Sequence, residues 1–369
     1  MALAFYRKYR PKKLEEVIGQ ESTIEILRSA AGQGRLGHAY LFYGPRGTGK
    51  TTTARLVAKL LNCERRHLDT DFRKIGEPCN ACQACRDIDG GMAFDLIEID
   101  AASNRGIDEI RNLKEGIHAS PTGGRFKVYI IDEAHMLTGP AFNALLKTLE
   151  EPPRHAVLIL ATTEYEKLPA TITSRTQRFL FKKLSKIKIM EKLHAIANAE
   201  RIAVDPEALE LIAASGEGSV RDAESLLDQI RSLETKINLT AVERITGRVG
   251  FKKVTALAEF ILKKDLRGSL DHLSQMNEEG HNVVQLAKDL IHYLRRIIAF
   301  KMNPSLEKYF HTELTGEEIK KVKELSALMD SETGIPLIRA LIRAYSEMRY
   351  SPFAMIPLEI ALVEHLDKK

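Results

Sequence analysis

Long apolar runs are missing: mean hydropathy is -0.21 and no stretch approaches the length of a membrane span, which excludes a transmembrane protein. Tryptophan is absent, and cysteine occurs only four times, always between positions 63 and 85. Charge of one sign is scarce too. Fifty-five basic residues against 50 acidic ones leave a net +5, which by itself argues nothing about nucleic acid; a basic binding surface would have to be local. The start, MALAFYRKYRPKK, has basic residues with no apolar segment behind them, so no secretory signal is expected and a cytoplasmic location is the default. No internal repeat and no low-complexity tract is present.

At 369 residues the chain exceeds one ordinary core, so two or three domains are expected. Five short runs rich in β-branched or aromatic residues read as buried parallel strands: Ala39–Tyr43, Leu96–Asp100, Val128–Asp132, Val157–Ala161 and Phe179–Phe181. Helical patterns such as Lys50–Leu61 and Ala141–Leu149 separate them, which predicts an α/β sheet with helices on both faces. After Phe181 the strands are expected to stop. Ile187–Arg201, Pro206–Ala214 and Ser219–Ile230 show helical spacing, with Asp205 and Ser219 placed as N-caps. Thr240-Ala-Val-Glu243 reads as a capping box, Gly247-Arg-Val-Gly250 as a boundary loop, and the remainder as helices with loops at Asn303-Pro304 and Gly334–Pro336. The expected organisation is an α/β domain over residues 1–181, a small helical domain over 182–246 and a larger helical domain over 247–369.

Gly44-Pro-Arg-Gly-Thr-Gly-Lys50-Thr51 fits the phosphate-loop pattern between a strand and a helix. Its glycines let backbone N–H groups wrap a phosphate, and the helix start adds its positive end. Lys50 would reach the β- and γ-phosphates, and the Thr51 hydroxyl would complete a Mg²⁺ shell. The expected nucleotide-binding stretch is Gly44, Pro45, Arg46, Gly47, Thr48, Gly49, Lys50, Thr51 and Thr52, and ATP with Mg²⁺ is the expected ligand. Val128-Tyr-Ile-Ile-Asp132-Glu133 is the matching acidic strand: Asp132 at its edge is placed to hold Mg²⁺ and Glu133 to polarise the attacking water. His135 reads as structural rather than catalytic. Thr162 and Thr163 either bond the γ-phosphate and the attacking water or cap the turn before Glu164. Arg221 opens a helix against the macrodipole, which a ligand phosphate would explain; an exposed arginine is the alternative.

Cys63, Cys79, Cys82 and Cys85 are spaced C-x15-C-x2-C-x2-C. Two CxxC steps sharing a sulfur suit tetrahedral Zn²⁺, with Cys63 as the fourth thiolate and no open coordination position, so the expected role is structural. Disulfides are the alternative, which a cytosolic setting disfavours.

Together these residues resemble the gamma/tau subunits of the bacterial DNA polymerase III clamp loader. The likeness runs from Tyr9-Arg10-Pro11 to the helical C-terminal part, through His38-Ala-Tyr-Leu-Phe, the four-cysteine insert, Glu98-Ile-Asp-Ala-Ala-Ser103, Asp132-Glu-Ala-His135-Met-Leu, Leu145-Leu-Lys-Thr-Leu-Glu-Glu-Pro-Pro153 and Ser174-Arg175. It implies an AAA+ module with a parallel five-stranded sheet, a helical lid and an all-helical collar. It also implies a hetero-pentameric ring of copies of this chain with delta and delta-prime subunits, which uses ATP to load the β sliding clamp onto primer–template DNA. By that likeness Arg175 is an arginine finger acting on a neighbouring subunit's ATP, Arg221 is sensor 2, and Thr163 is sensor 1. The segment Tyr9–Gln20, with Tyr9, Arg10, Pro11, Val17 and Ile18, would border the adenine. The family usually reads Ser-Arg-Cys where this chain has Thr176 after Arg175. No polymerase active site is recognisable, and the end of the chain after the collar suggests a gamma-like form or a truncated one.

Two other readings compete. A non-hydrolysing scaffold like delta-prime predicts a degraded phosphate loop, whereas Lys50, Thr51, Asp132 and Glu133 are all present. A Holliday-junction motor predicts a winged DNA-binding domain and no cysteine insert. Arg105, Arg111 and Lys167 either touch DNA phosphates in the ring's bore or form a solvated basic face.

Overall fold

The strand segments pair in the order β2-β3-β4-β1-β5, all parallel, with β1 Ala39–Tyr43, β2 Leu96–Asp100, β3 Lys127–Asp132, β4 Ala156–Thr162 and β5 Gln177–Leu180. The computed structural model describes residues 3–103, 116–311 and 313–367, and divides into two units, Met1–Leu184 and Ser185–Lys369.

Period-two alternation sorts the sheet's side chains into two apolar layers. Tyr40, Phe42, Val128 and Ile130 face Leu27 of α1 (Glu21–Gly32) and Leu56, Val57 and Leu60 of α2 (Lys50–Asn62). Leu41, Tyr129, Ile131 and Leu160 face the other way, against Cys-free apolar positions of the chain that include Phe142 and Leu145. Every residue of β4 is buried, as a central strand covered on both faces should be. The insert between α2 and β2 carries the four cysteines and one longer helix, α3 (Gln83–Gly90). Past β3, α4 (Gly139–Glu150) supplies Phe142 and Leu145. The last strand lies at Gln177–Leu180, slightly earlier than the expected Phe179–Phe181, because pairing with Tyr40–Tyr43 of β1 sets its span.

The second unit begins with α5 (Lys186–Glu200), α6 (Pro206–Ser215), α7 (Val220–Leu233) and α8 (Leu239–Thr246). Ser219 caps α7 by accepting from the Asp222 N–H, as its sequence position predicts, whereas Asp205 stands at the start of α6 with no side-chain cap bond. Three expectations need correction. Strands do not stop at Phe181: Ala203–Val204 (β6) and Lys236–Ile237 (β7) form a parallel pair too short to carry a periodic signal. Thr240-Ala-Val-Glu243 is not a capping box. Asn238, a stronger N-cap, accepts from the Ala241 N–H at 2.8 Å and starts the helix earlier, and Glu243 instead accepts from the Gly250 N–H at 2.7 Å. Gly334–Pro336 lies inside the helix Ser331–Met348, where Pro336, the sixth residue, forgoes one i→i−4 bond without ending the helix.

The loop Gly247–Gly250 leads to α9 (Phe251–Leu262), α10 (Leu266–Glu278), α11 (Val283–Met302), α12 (Gly316–Leu328), α13 (Ser331–Met348) and α14 (Ile356–Leu366). These share one core around Leu257, Leu273, Leu290, Leu294, Val322, Leu341 and Leu362. The helices before and after the loop are joined by ion pairs: Lys186 contacts both Glu210 and Glu318, and Arg248 and Lys288 meet on Glu217 at 2.8 Å each.

Candidate nucleotide site and metal centre

A parallel sheet delivers whatever follows its strands to one edge, and ligands of open α/β sheets sit there. Here that edge collects the phosphate loop after β1, Asp132 and Glu133 at the end of β3, and Thr162 and Thr163 at the end of β4. Because β4 lies between β1 and β3, the threonines stand between the other two groups.

Gly44 turns the chain out of β1 at φ 139, and a Cβ there would meet the Phe181 carbonyl oxygen at 2.0 Å, so only glycine fits. Lys50 is 6% exposed, and its Nζ donates to the carbonyls of Gly44 and Pro45 at 2.8 Å each, folding the side chain over its own loop. Burial pulls its pKa down, and the nearby Glu133 and Asp132 push back. The Thr51 hydroxyl donates to Asp132 Oδ2 at 2.7 Å, and Asp132 Oδ1 accepts from the Glu133 N–H at 3.0 Å. The two motifs read separately from the sequence are therefore in direct contact.

Glu133 sits at φ 47, a left-handed conformation that disfavours a side chain and needs holding. The holder is Thr163, whose hydroxyl and N–H donate to Glu133 Oε2 at 2.9 and 3.3 Å. Thr162 takes the blander of its two roles, accepting from the Glu164 N–H at 3.1 Å. His135 lies with Nδ1 at 3.0 Å from Thr162 Oγ1 and Nε2 at 3.1 Å from a Glu164 carboxylate oxygen, the position of a brace.

One contributor carried no individual signal in the sequence. Gln20, 4% exposed, donates from Nε2 to the Thr48 and Lys182 carbonyls at 3.3 and 2.9 Å, and accepts from the Lys182 N–H at 3.0 Å. It ties the phosphate loop to the chain leaving β5. A lone glutamine bonding distant backbone has no local pattern by which to be found. Of the other segment residues, Val17 packs beside Gly49, with its Cγ1 at 3.6 Å from where a Cβ on that glycine would stand. Tyr9 ends a short helix, Phe5–Lys8, with its ring edge-on to Phe5.

Arg175 stands just before β5, at the sheet end opposite the phosphate loop. It bonds Glu150 Oε1 at 2.6 Å and the Thr171 carbonyl at 3.0 Å. Arg221 is near the start of α7, in the second unit. Lys167 pairs with Glu164 at 2.8 Å and is largely solvated, and Arg105 and Arg111 lie outside the described residues.

The four cysteine sulfurs come within 4.8 Å of one another, and all four are free of disulfides. Cys63 closes α2, Cys82 stands at the start of α3 and Cys85 lies within it. Backbone N–H groups already point at sulfur: Cys79 N to Cys63 Sγ at 3.4 Å, and Ala81 N and Cys82 N to Cys79 Sγ at 3.4 and 3.2 Å. A hydrogen bond from Cys85 and the N–H groups of Cys79 and Arg66 draw the Cys63 thiol well down, toward the thiolate that a metal needs, while the same sharing with Cys63 pushes the Cys85 thiol up. The donor set and its spacing are compatible with zinc.

Comparison with known proteins settles the family. The model for "DNA polymerase III, delta subunit" matches residues 19–185, that for the clamp loader subunit's ATPase lid domain residues 188–230, and that for domain III of the gamma and tau subunits residues 237–367. A DNA polymerase III subunit gamma from Buchnera aphidicola subsp. Schizaphis graminum is 36% identical over 97% of this chain and 96% of its own length. The chain belongs to the DNA polymerase III gamma/tau family. Among gamma/tau relatives, subunit tau of Bacillus subtilis is 41% identical and that of Escherichia coli 38%, each over 98% of this chain. The chain spans only 62% and 54% of those two proteins. These relatives are DNA polymerase III subunits of the clamp-loading AAA+ ATPase kind, and the five-stranded parallel sheet with its helical domains is the architecture the resemblance implied.

Proposed function

We propose that this chain is the ATP-hydrolysing motor subunit of a bacterial clamp loader. The observation that carries the reading is the closed set of contacts Thr51–Asp132 and Thr163–Glu133 beside a buried Lys50, since a scaffold subunit has no use for it. Residues 1–181 form the nucleotide-binding domain, 182–246 the lid and 247–369 the collar. Gly44 to Thr52 cradle the triphosphate; Tyr9, Arg10, Pro11, Val17 and Ile18 border the base. Lys50 leaves its two carbonyls for the β- and γ-phosphates, and Thr51 and Asp132 hold Mg²⁺. When bound, Mg²⁺ would supply positive charge that offsets the charge of the phosphates. Glu133 takes the proton of the attacking water while Thr163 orients it. Arg221 acts as the lid's phosphate sensor, and Arg175 serves the ATP of an adjacent subunit. Further copies of this chain, delta and delta-prime complete the ring; the β sliding clamp and primer–template DNA are its substrates, in the cytoplasm.

ATP turnover by the ring reconstituted with its partner subunits should rise sharply when primed DNA and clamp are added together. Stimulation by duplex alone would indicate a translocating motor, and no response at all a scaffold. Either result would replace this reading.

Cys63, Cys79, Cys82 and Cys85 hold one structural zinc. Protein purified without chelator should carry one zinc per chain by elemental analysis, and Cys79→Ser should lose it and unfold at lower temperature, with a cost of about 3 kcal/mol or more. Four thiols titrating in a metal-free native preparation would sink the site.

A further inference from the structure

The cysteine module grips one short stretch of backbone from two sides. Glu77, just before Cys79, is 4% exposed, and its carboxylate accepts from the N–H groups of Leu14 at 2.7 Å and Glu15 at 3.1 Å. Bonds from peptide N–H to an ionised carboxylate are strong, and a buried carboxylate without them is costly. The Glu77 residue is itself seated by Arg66, which follows Cys63 and is 3% exposed. Its guanidinium donates to the carbonyls of Glu77 at 3.4 Å, Leu60 at 3.0 Å and Ala31 at 2.9 Å. From the other side Asp89, on the helix that carries Cys85, pairs with Lys59 Nζ at 2.8 Å, and the same ammonium donates to the Lys12 carbonyl at 3.2 Å. The stretch so held continues into Val17, beside Gly49, and Gln20, bonded to the Thr48 carbonyl.

We propose that Glu77 is a positioning residue through which the metal-loaded cysteine module fixes the Lys12–Gln20 segment against the phosphate loop, so that metal occupancy sets nucleotide affinity. The proposal rests on the nucleotide reading above. Its logic is one of tethers. Glu77 and Cys79 are close in sequence, so the thiolate's fixation fixes the carboxylate, and the carboxylate fixes the two N–H groups. Loss of the metal leaves the turn around Cys79 with its weak N–H···S bonds and the long Arg66 bond to the Glu77 carbonyl, and the segment flanking the nucleotide loosens with it.

The test uses the full chain, as purified and after chelation, in the unaltered form and as Glu77→Ala and Glu77→Gln. Hydrogen exchange of the Leu14 and Glu15 amides and affinity for a fluorescent ATP analogue are measured for each. Chelating the unaltered chain should speed exchange at both amides and weaken analogue binding about tenfold. Glu77→Ala should show a similar loss while still loaded with metal, and chelation should then add less than about a further twofold. Glu77→Gln, which keeps one acceptor oxygen, should fall between the two. A chelation effect of equal size in the unaltered and Glu77→Ala chains overturns the proposal, as does unchanged exchange at the two amides. Failure of every form to bind the analogue, with exchange responding as expected, would overturn the nucleotide reading and leave the tether standing.

Discussion

Lys50→Ala should weaken ATP binding by about a hundredfold and abolish ATP turnover and clamp loading. The lysine already stands desolvated at 6% exposure, bonded to two carbonyls of its own loop, with burial holding its pKa down. A triphosphate offers that ammonium a far better partner than carbonyl dipoles. Removing one member of such a buried, hydrogen-bonded charge pair costs about 3 kcal/mol, near two orders of magnitude in affinity. No neighbour substitutes: Arg46 is exposed, and Thr48 is committed to the Pro45 carbonyl at 2.8 Å. Equilibrium binding of a fluorescent ATP analogue and steady-state turnover check this together, with circular dichroism to show that the fold persists. A variant that retains DNA-stimulated hydrolysis would refute the phosphate-loop assignment.

Arg175→Ala should have the opposite profile, leaving ATP binding by the isolated chain unchanged and crippling hydrolysis in the assembled ring. In the parallel register Gln177 of β5 faces Tyr40 of β1, and the phosphate loop begins only after Tyr43. Roughly 10 Å of strand therefore separates Arg175 from its own chain's site, at about 3.3 Å per residue. The Glu150 carboxylate that it contacts is about half exposed, and pairs of that kind contribute roughly 0.2–1 kcal/mol, so a phosphoryl group can displace it. An arginine supplied to the transferring phosphoryl group from another subunit is worth roughly 10³–10⁵ in rate. In mixed rings, an Arg175→Ala subunit should hydrolyse ATP when an intact neighbour serves it, whereas a Lys50→Ala subunit should not. Loss of ATP binding by the Arg175→Ala monomer, on the scale of Lys50→Ala, would place the residue in its own site and refute the inter-subunit role.

The readable parts were those where local pattern and structure coincide. β1 and β2 ran over the residues that the apolar spacing marked, and the phosphate-loop helix differs from its expected span by one residue, Asn62. The cysteine spacing anticipated sulfurs brought together. What escaped depended on partners far along the chain or on competition between neighbours. The ladder with β1 moved the last strand, Asn238 outcompeted Thr240 as a cap, and β6 with β7 exist only as a pair. Gln20 and Arg66 are buried polar residues whose hydrogen bonds go to backbone groups, and Glu77 bonds two backbone N–H groups beside a longer ion pair to Arg28, so little elsewhere in the sequence advertises them.

The strand order has a consequence for how the chain is made. β1, near the N-terminus, has as neighbours only β4 and β5, and the last of these is not complete until Leu180. At translation rates of about 5–20 residues per second, β1 waits on the order of ten seconds for its second neighbour. Through that interval Tyr40, Leu41 and Phe42 stay in a chain whose sheet cannot close. Pairings between segments so distant are slow to form even once synthesised, since the connecting loop's entropy must be surrendered first. Newborn copies therefore pass through a period in which an unpaired apolar strand is available to chaperones and to one another.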